Sequence, residues 1–310
     1  MSRLREQKQL QKFKTLFTMN IAIYGKSFND DFDESIRRLF SRLSDYKAHV
    51  FIYEPFTRYL SESKKISPNI AGTYNSYESL PEGIDYLLSI GGDGTFLETV
   101  SVVRDKDIPI IGFNTGRLGF LSSIKHDEIN ESLDALFRGE STIEQRSLIE
   151  VDSGRKLFRH FSYAFNEVTI QKTRTSMINV QAWVNGEYLN TYWADGLIVS
   201  TPTGSTAYSL SVGGPIMSPD AGTFIILPLA PHNLGVRPII ISDRSEVRLK
   251  ANSRENSLST SVDYMYEVHK GDLELVLRKA PFTIKLVRLG DHSFFSALRN
   301  KLMWGADKRN

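Results

Sequence analysis

Short apolar runs alternate with segments of helical period through the first third of the chain. NIAIYG begins at Asn20, a helix face of Ile36, Leu39, Phe40 and Leu43 follows, and then come HVFIY, IDYLLSI and IPIIGFN. Runs of this kind suit strands buried on both faces, and the fold that buries them together with amphipathic helices is a parallel sheet covered on each side. Residues 61–80, rich in Ser, Asn and Tyr, read as a loop. A last helix over residues 127–137, with Ile129, Leu133, Leu136 and Phe137 apolar, closes the region.

Near residue 141 the texture changes to many short runs of Val, Ile and Thr separated by turn signals. In VQAWVNGEYLNTY, Asn185 and Gly186 stand between two alternating runs, the strongest short-range hairpin signal. Separate further runs follow at FIILPL, RPIIIS, EVRLKA, LELVLR and FTIKLV, and FFSALRNKLMW has helical spacing. The expected organisation is a flexible extension over residues 1–18, an α/β domain over 19–140, a β-rich domain over 141–290, and a C-terminal helix within 291–310 that packs back on the body. The start at Met19 makes residues 1–18 an expected dispensable segment.

A chain of 310 residues that is 41% hydrophobic has enough apolar mass for one large or two ordinary cores. A formal net charge of +2 gives no electrostatic push toward nucleic acid or membrane surfaces. The absence of cysteine excludes disulfides, thiolate nucleophiles and cysteine-ligated metals, and fits a reducing cytoplasm. No apolar run approaches the roughly 20 residues of a membrane helix, and MSRLREQKQLQKFKTLF lacks a signal-peptide core, so the chain reads as soluble and cytoplasmic.

The chemistry concentrates in a few stretches. In LLSIGGDGTFLETV, glycines at a strand-to-helix junction let backbone N–H groups approach phosphate, and the helix start adds partial positive charge. Asp93 would repel phosphate there, so its use is to accept the proton of an attacking hydroxyl or to help hold magnesium; the competing reading is a tight turn with Asp93 capping the helix. Neither GxGxxG nor GxxxxGK[ST] is present at this junction. ADGLIVSTPTGSTAYSLSVGGPI, residues 194–216, combines small hydroxyls, free N–H groups and Tyr208, a set suited to sugar, phosphate and base. Asn166 and Glu167 interrupt the strand-like YAFNEVTI, which requires either an internal polar network or a ligand. GFNTGRLGFLSS, residues 112–123, reads as a crossover whose glycines take positive φ, and PHNLGVRP, with His232 and Arg237, as a structural turn.

In their order along the chain, GGDGTFL at 91–97, GFNTGRLGFL at 112–121, Asn166 with Glu167, DGLIVSTPTGSTAYSLSVGGPI at 195–216 and PHNLGVRP at 231–238 resemble the NAD kinase family, from about residue 20 to the C-terminus. The resemblance implies transfer of the γ-phosphoryl group of ATP to the 2′-hydroxyl of the adenosine ribose of NAD. It implies an α/β N-terminal domain with a mostly parallel sheet, an all-β C-terminal domain and a site between them. By match to the family's motifs, Asp93 is the catalytic base and forms a pair with Gly94. Asn166 and Glu167 bind polar groups of the dinucleotide, Asp195 is a further NAD-binding carboxylate, and Thr206, Ala207, Tyr208, Ser209, Leu210 and Ser211 wrap the adenosine half. Mg2+ or another divalent cation arrives with ATP, with no permanent protein metal site, and the assembly implied is a homodimer or homotetramer without nucleic-acid or membrane partners.

This chain departs from the family pattern at Glu98, where a basic residue is common, at Trp193 before the Asp195 motif, and at Met265, where the family's DGQ appears as Asp263, Tyr264 and Met265. Two rivals remain. Diacylglycerol and sphingosine lipid kinases share the GGDGT stretch, but the long TPTGSTAYSLS segment is not expected in a lipid kinase; an idle NAD-binding sensor would have no use for Asp93.

Overall fold

A computed structural model describes residues 18–116, 118–154, 157–158, 160–290 and 293–303. The expectation for the N-terminal extension therefore falls, save for residue 18, outside the described residues, as do 291–292 and 304–310 of the last segment. The chain divides into two compact units.

The first unit carries β1 (Asn20–Gly25), α1 (Asp33–Asp45), β2 (His49–Tyr53), α2 (Glu54–Glu62), β3 (Gly72–Tyr74) and β4 (Tyr86–Ile90). In α3 (Asp93–Val103) the chain passes from the first unit, through Phe96, into the second, and it returns for β5 (Ile110–Phe113) and α4 (Ile129–Phe137). The strands pair in parallel in the order β3-β2-β1-β4-β5. Ile21, Ile23, Val50, Ile52, Leu88 and Ile90 from the strands pack with Ile36, Leu39, Leu43, Phe56, Leu60 and Leu133 from the helices. The parallel α/β reading holds, with β1 and β2 spanning the runs as read and β4 and β5 shorter than IDYLLSI and IPIIGFN.

The loop expected over 61–80 is not all loop. It contains β3, three residues paired with β2 at the sheet edge and too short to carry a periodicity; Tyr74 is buried and donates its hydroxyl to the carbonyl of Ile23 at 3.0 Å. The helix α2 was also not legible, because its buried face consists of Phe56 and Leu60 alone.

The second unit is built from β6 (Ser141–Asp152), β7 (Tyr163–Ala164), β8 (Glu167–Lys172), β9 (Ile178–Val184), β10 (Glu187–Ala194), β11 (Gly196–Ser200), α5 (Tyr208–Ser211), β12 (Thr223–Leu229), β13 (Ile239–Ser242), β14 (Val247–Ser253), β15 (Ser257–Val262), β16 (Met265–Lys270), β17 (Leu273–Leu289) and α6 (Phe294–Leu302). One antiparallel sheet runs β13-β12-β11-β8-β15-β16, and β10-β9-β14-β17 form another antiparallel run. Alternate residues such as Val168, Ile170, Leu197, Val199, Val180, Leu249 and Leu275 share one core. The Asn185–Gly186 hairpin forms as read, with φ of 52° and 83°. LELVLR and FTIKLV are one 17-residue strand, β17, uninterrupted by the Pro281 that divides them in the sequence; its residues from Val287 belong to the first unit. Among the described residues no helix is long and apolar enough to cross a membrane.

Candidate active site

Strand order places the first cluster. The chain runs outward from β1 to β2 and β3, then resumes at β4 on the other side of β1, so the topology switches between β1 and β4. In open parallel sheets, ligands bind beyond the carboxyl ends of the strands at such a point. The loop after β4 is Gly91 and Gly92, and α3 begins at once with Asp93 and Gly94. The Gly91 amide bonds the carbonyl of Phe113 at 2.9 Å, which sets the loop beside the end of β5.

Asp93 opens α3, but its carboxylate serves a different segment. Oδ2 accepts the N–H of Phe120 at 2.9 Å, and Oδ1 accepts those of Leu121 and Ser122 at 3.1 and 3.0 Å. Three amides from the loop after β5 thus fix the orientation of one carboxylate. Behind that loop the buried Arg288 donates to the carbonyl of Phe120 at 3.4 and 3.5 Å and to Ser123 Oγ at 3.4 Å.

The expectation of positive φ for the glycines of residues 112–121 is corrected: Gly112, Gly116 and Gly119 are absent from the positive-φ positions, and Gly112 and Gly119 owe their presence to volume instead. A Cβ on Gly119 would lie 1.8 Å from Asp93 Oδ1, and one on Gly112 would lie 2.7 Å from the carbonyl oxygen of Leu121. Gly92, Gly94 and Gly116 are of another kind, since a Cβ on any of them would meet no protein atom within 4 Å. Beside Gly116 a cavity of about 240 Å³ is lined by Asp31, Phe32, Asn114, Thr115, Lys125 and His126.

The second cluster lies in the second unit, along β8. Asn166 and Glu167 are 8% exposed. Their backbone is fully engaged. The carbonyl of Asn166 accepts the Thr201 amide at 2.9 Å and Ser200 Oγ at 3.2 Å, while Asp263 accepts the amides of Phe165, Asn166 and Glu167 at 2.8, 2.8 and 3.2 Å. Gly204 fits against the same turn, where a Cβ would stand 2.2 Å from the Asn166 carbonyl oxygen. The side chains are not so engaged: the Asn166 amide makes no hydrogen bond to the described residues, and Glu167 Oε2 is buried with no partner. An internal network therefore accounts for the main chain alone.

Burial, followed by the nearby Asp263, pushes the Glu167 carboxyl up to about 8. Burial also raises Asp263 to about 6, against the lowering effect of its three amide donors. The upward shift favours the protonated form of Glu167, which can donate a hydrogen bond.

At the other end of β8, Asp195 pairs with Lys172 at 2.6 Å, and the hydroxyl of Tyr208 accepts from Gln171 Nε2 at 3.2 Å. The segment from Ser200, opposite Glu167, to Tyr208, bonded to Gln171, thus runs alongside the strand. Four residues of antiparallel strand separate the two polar ends by about 14 Å. Within that segment Thr206 Oγ1 turns back to the carbonyl of Thr203, Ser209 is buried with its hydroxyl unpartnered, and Ala207, Leu210 and Ser211 are half-buried or exposed. His232 donates its amide to the carbonyl of Trp193, and Arg237 folds onto the carbonyls of Leu234 and Val236, which agrees with the structural-turn reading.

Sequence reasoning missed the parts of Asp263 and Arg288. A signal for the first existed: SLSTSV and MYEVHK alternate on either side of Asp263 and Tyr264, a two-residue hairpin loop, and Asp263 adopts φ 51° there. Nothing local marks Arg288.

The chain matches the ATP-NAD kinase N-terminal domain over residues 21–141 and the ATP-NAD kinase C-terminal domain over residues 165–289. It is 42% identical to the NAD kinase of Flavobacterium psychrophilum and 40% identical to that of Bacteroides fragilis, in each case over 94% of this chain and 100% of the relative. Its fold is similar to yeast NADH kinase complexed with NADH, with a TM-score of 0.81, 23% identity and coverage of 94% and 89% of the two chains. It is also similar to an Archaeoglobus fulgidus NAD kinase in complex with ATP, with a TM-score of 0.72, 24% identity and coverage of 92% and 99%. With both domains matched in order and relatives aligned along their whole length, the chain belongs to the NAD kinase family.

Proposed function

We infer that this enzyme transfers the γ-phosphoryl group of ATP to the 2′-hydroxyl of the adenosine ribose of NAD, giving NADP and ADP. The observation that carries the assignment of roles is the Asp93 carboxylate, oriented by three amides beyond the carboxyl end of β4 and flanked by Gly92 and Gly94, which leave room for phosphate oxygens. In this reading Asp93 takes the 2′-hydroxyl proton as O2′ bonds the γ-phosphorus. The bond from that phosphorus to the bridging oxygen breaks, and ADP leaves with the electron pair.

The acceptor dinucleotide is assigned to the polar line along β8. Asn166 and Glu167 take one end of the ligand, Asp195 and Tyr208 the other, and residues 206–211 cover it. The donor's nucleoside is assigned to the cavity beside Gly116, whose volume lies near the lower end of the roughly 300–1,000 Å³ usual for ligand pockets. A divalent cation, Mg2+ by expectation, supplies charge neutralisation on the β- and γ-phosphate oxygens. In this reading the ion arrives with ATP and is carried mainly by the triphosphate and water. A homodimer or homotetramer in the cytoplasm completes the proposal; light scattering on the purified chain tests the assembly.

The deciding experiment measures NADP formation from NAD, ATP and Mg2+ by an NADP-specific cycling assay, with Asp93→Asn run in parallel. The variant is expected to fold and bind NAD while losing about 10²–10⁴-fold in kcat. Wild-type kcat in Asp93→Asn would remove it from the mechanism. NAD binding without turnover in the wild type would favour a sensor, and phosphorylation of diacylglycerol micelles a lipid kinase.

A further inference from the structure

We propose that Asp263, at the tip of the β15–β16 hairpin, is a positioning residue for the dinucleotide: it grips the backbone of residues 165–167 and so sets the aim of the Asn166 amide and the Glu167 carboxyl. The inference rests on the reading of Asn166 and Glu167 as the dinucleotide-binding pair.

The chain between β7 and β8 leaves the sheet ladder at this point, and its amides need acceptors from elsewhere. Asp263 supplies them. Oδ2 takes Phe165 N–H at 2.8 Å, Oδ1 takes Asn166 N–H at 2.8 Å and Glu167 N–H at 3.2 Å, and the Asp263 amide donates to the Glu167 carbonyl at 3.0 Å. Four bonds therefore lace one side chain and its own amide to three consecutive residues. Three donors converging on two oxygens call for a carboxylate. Asparagine would turn an NH2 group toward at least one of those amides. The hairpin tip is itself anchored, since the hydroxyl of the next residue, Tyr264, donates to Ser101 Oγ at 3.1 Å within the second unit.

The same carboxylate acts on Glu167 through space. Across from Glu167 on β11 stands Ser200, the paired residues Ser261 and Val262 of β15 are neutral, and the adjoining Asn166 and Thr201 are neutral. Asp263 is the charged group that bears on Glu167, and its influence adds to burial in keeping that carboxyl protonated up to about pH 8. Asp263 thus sets where Glu167 points and adds to the burial that favours its protonated form.

The test is made on the full chain with Asp263→Asn, which keeps size and shape, and with Asp263→Ala, each compared with Asn166→Ala and Glu167→Gln. Calorimetric titration with NAD from pH 5 to 9.5 is combined with KM and kcat. Both Asp263 variants are expected to bind NAD about tenfold more weakly or worse, as follows from a misplaced polar group, with the loss in KM and kcat at saturation little changed. The pH midpoint of NAD binding is expected to fall in Asp263→Asn, because the charge that raised it is gone, which loss of folding stability alone would not do. A variant-free arm covers impaired folding. In the wild type, the protection of amides 165–167, as exchange relative to the intrinsic rate at each pH, is expected to fall, and NAD affinity with it, as pH drops through about 6 where Asp263 takes up its proton.

Asp263→Asn with wild-type NAD affinity and an unmoved midpoint overturns the inference, as does a wild type whose NAD affinity and amide protection are both unchanged from pH 7 to 5. If Asn166→Ala and Glu167→Gln also bind NAD normally, the underlying assignment of the pair fails. If they lose affinity while Asp263→Asn keeps it, the positioning role alone fails.

Discussion

Gly119→Ala tests the frame around the Asp93 carboxylate, the proposed base, without substituting Asp93 itself. The new Cβ would lie 1.8 Å from Asp93 Oδ1, 2.6 Å from Cγ and 2.9 Å from Oδ2, whereas side-chain carbons essentially never approach other atoms within 3.0 Å. Either the carboxylate or the loop must give way by about 1 Å. A misplacement of that size costs on the order of 10²-fold in rate where geometry controls the reaction. The three amide bonds are charge-assisted, each worth roughly 1.5–3 kcal/mol, so partial loss of the set destabilises the fold by about 2–4 kcal/mol. Gly116→Ala, read at saturating ATP because Gly116 borders the cavity assigned to the donor, is the reference for a glycine of the same loop whose Cβ meets nothing within 4 Å and whose φ suits any residue. The assay pairs kcat for NADP formation with urea melts of both variants. A kcat for Gly119→Ala within threefold of Gly116→Ala, at unchanged stability, would show that the amides of residues 120–122 do not set the position of Asp93.

Two further outcomes follow from the same geometry. Gly116→Phe, which extends a ring into the cavity lined by Phe32, Asn114 and Thr115, is expected to raise KM for ATP about tenfold or more while leaving NAD affinity unchanged; an unaltered ATP KM would move the donor's nucleoside elsewhere. For Glu167 the folded carboxyl titrates at about 8 against an ordinary value of 4.5, so the folded state holds the proton more tightly. The unliganded protein therefore loses stability as pH rises from about 4.5 to 8, by at most about 1.4 kcal/mol per unit from this group. Asp263 contributes its own loss only up to about 6, so Glu167→Gln should flatten the fall between pH 6 and 8.5, and denaturant midpoints with parallel slopes in the two proteins would refute the assignment.

What the sequence disclosed follows from which interactions carry residue identity. The strands of the first unit were legible because a doubly covered strand must be apolar at nearly every position, as in Ile21, Ala22 and Ile23. The hairpin at Asn185 was legible because both of its residues take positive φ, and only a few residue types do so at low cost. The edge strand β3 and the helix α2 were not, since three residues and two buried side chains are too few to make a period. Asp263 was seen as part of a departure from a family motif; the structure makes it the anchor of Asn166 and Glu167, through bonds to main-chain amides that any residue except proline possesses. The grip on Asp93 was hidden for the same reason.

What betrays a main-chain partner is the space it needs, and here the glycines divide into two groups that the alphabet spells alike. At Gly112, Gly119 and Gly204 the missing side chain is replaced by protein: a crossing backbone, the Asp93 carboxylate and the Asn166 carbonyl. At Gly92, Gly94 and Gly116 it is replaced by nothing within 4 Å, and these three border the loop and the cavity assigned to the phosphoryl donor. Neither group is explained by backbone conformation, since none of the six takes positive φ. The first group fits against the Asp93 carboxylate, the loop that grips it and the Asn166 turn, so its substitutions act on stability and geometry together. The second leaves volume for a ligand, so its substitutions should act on the donor alone.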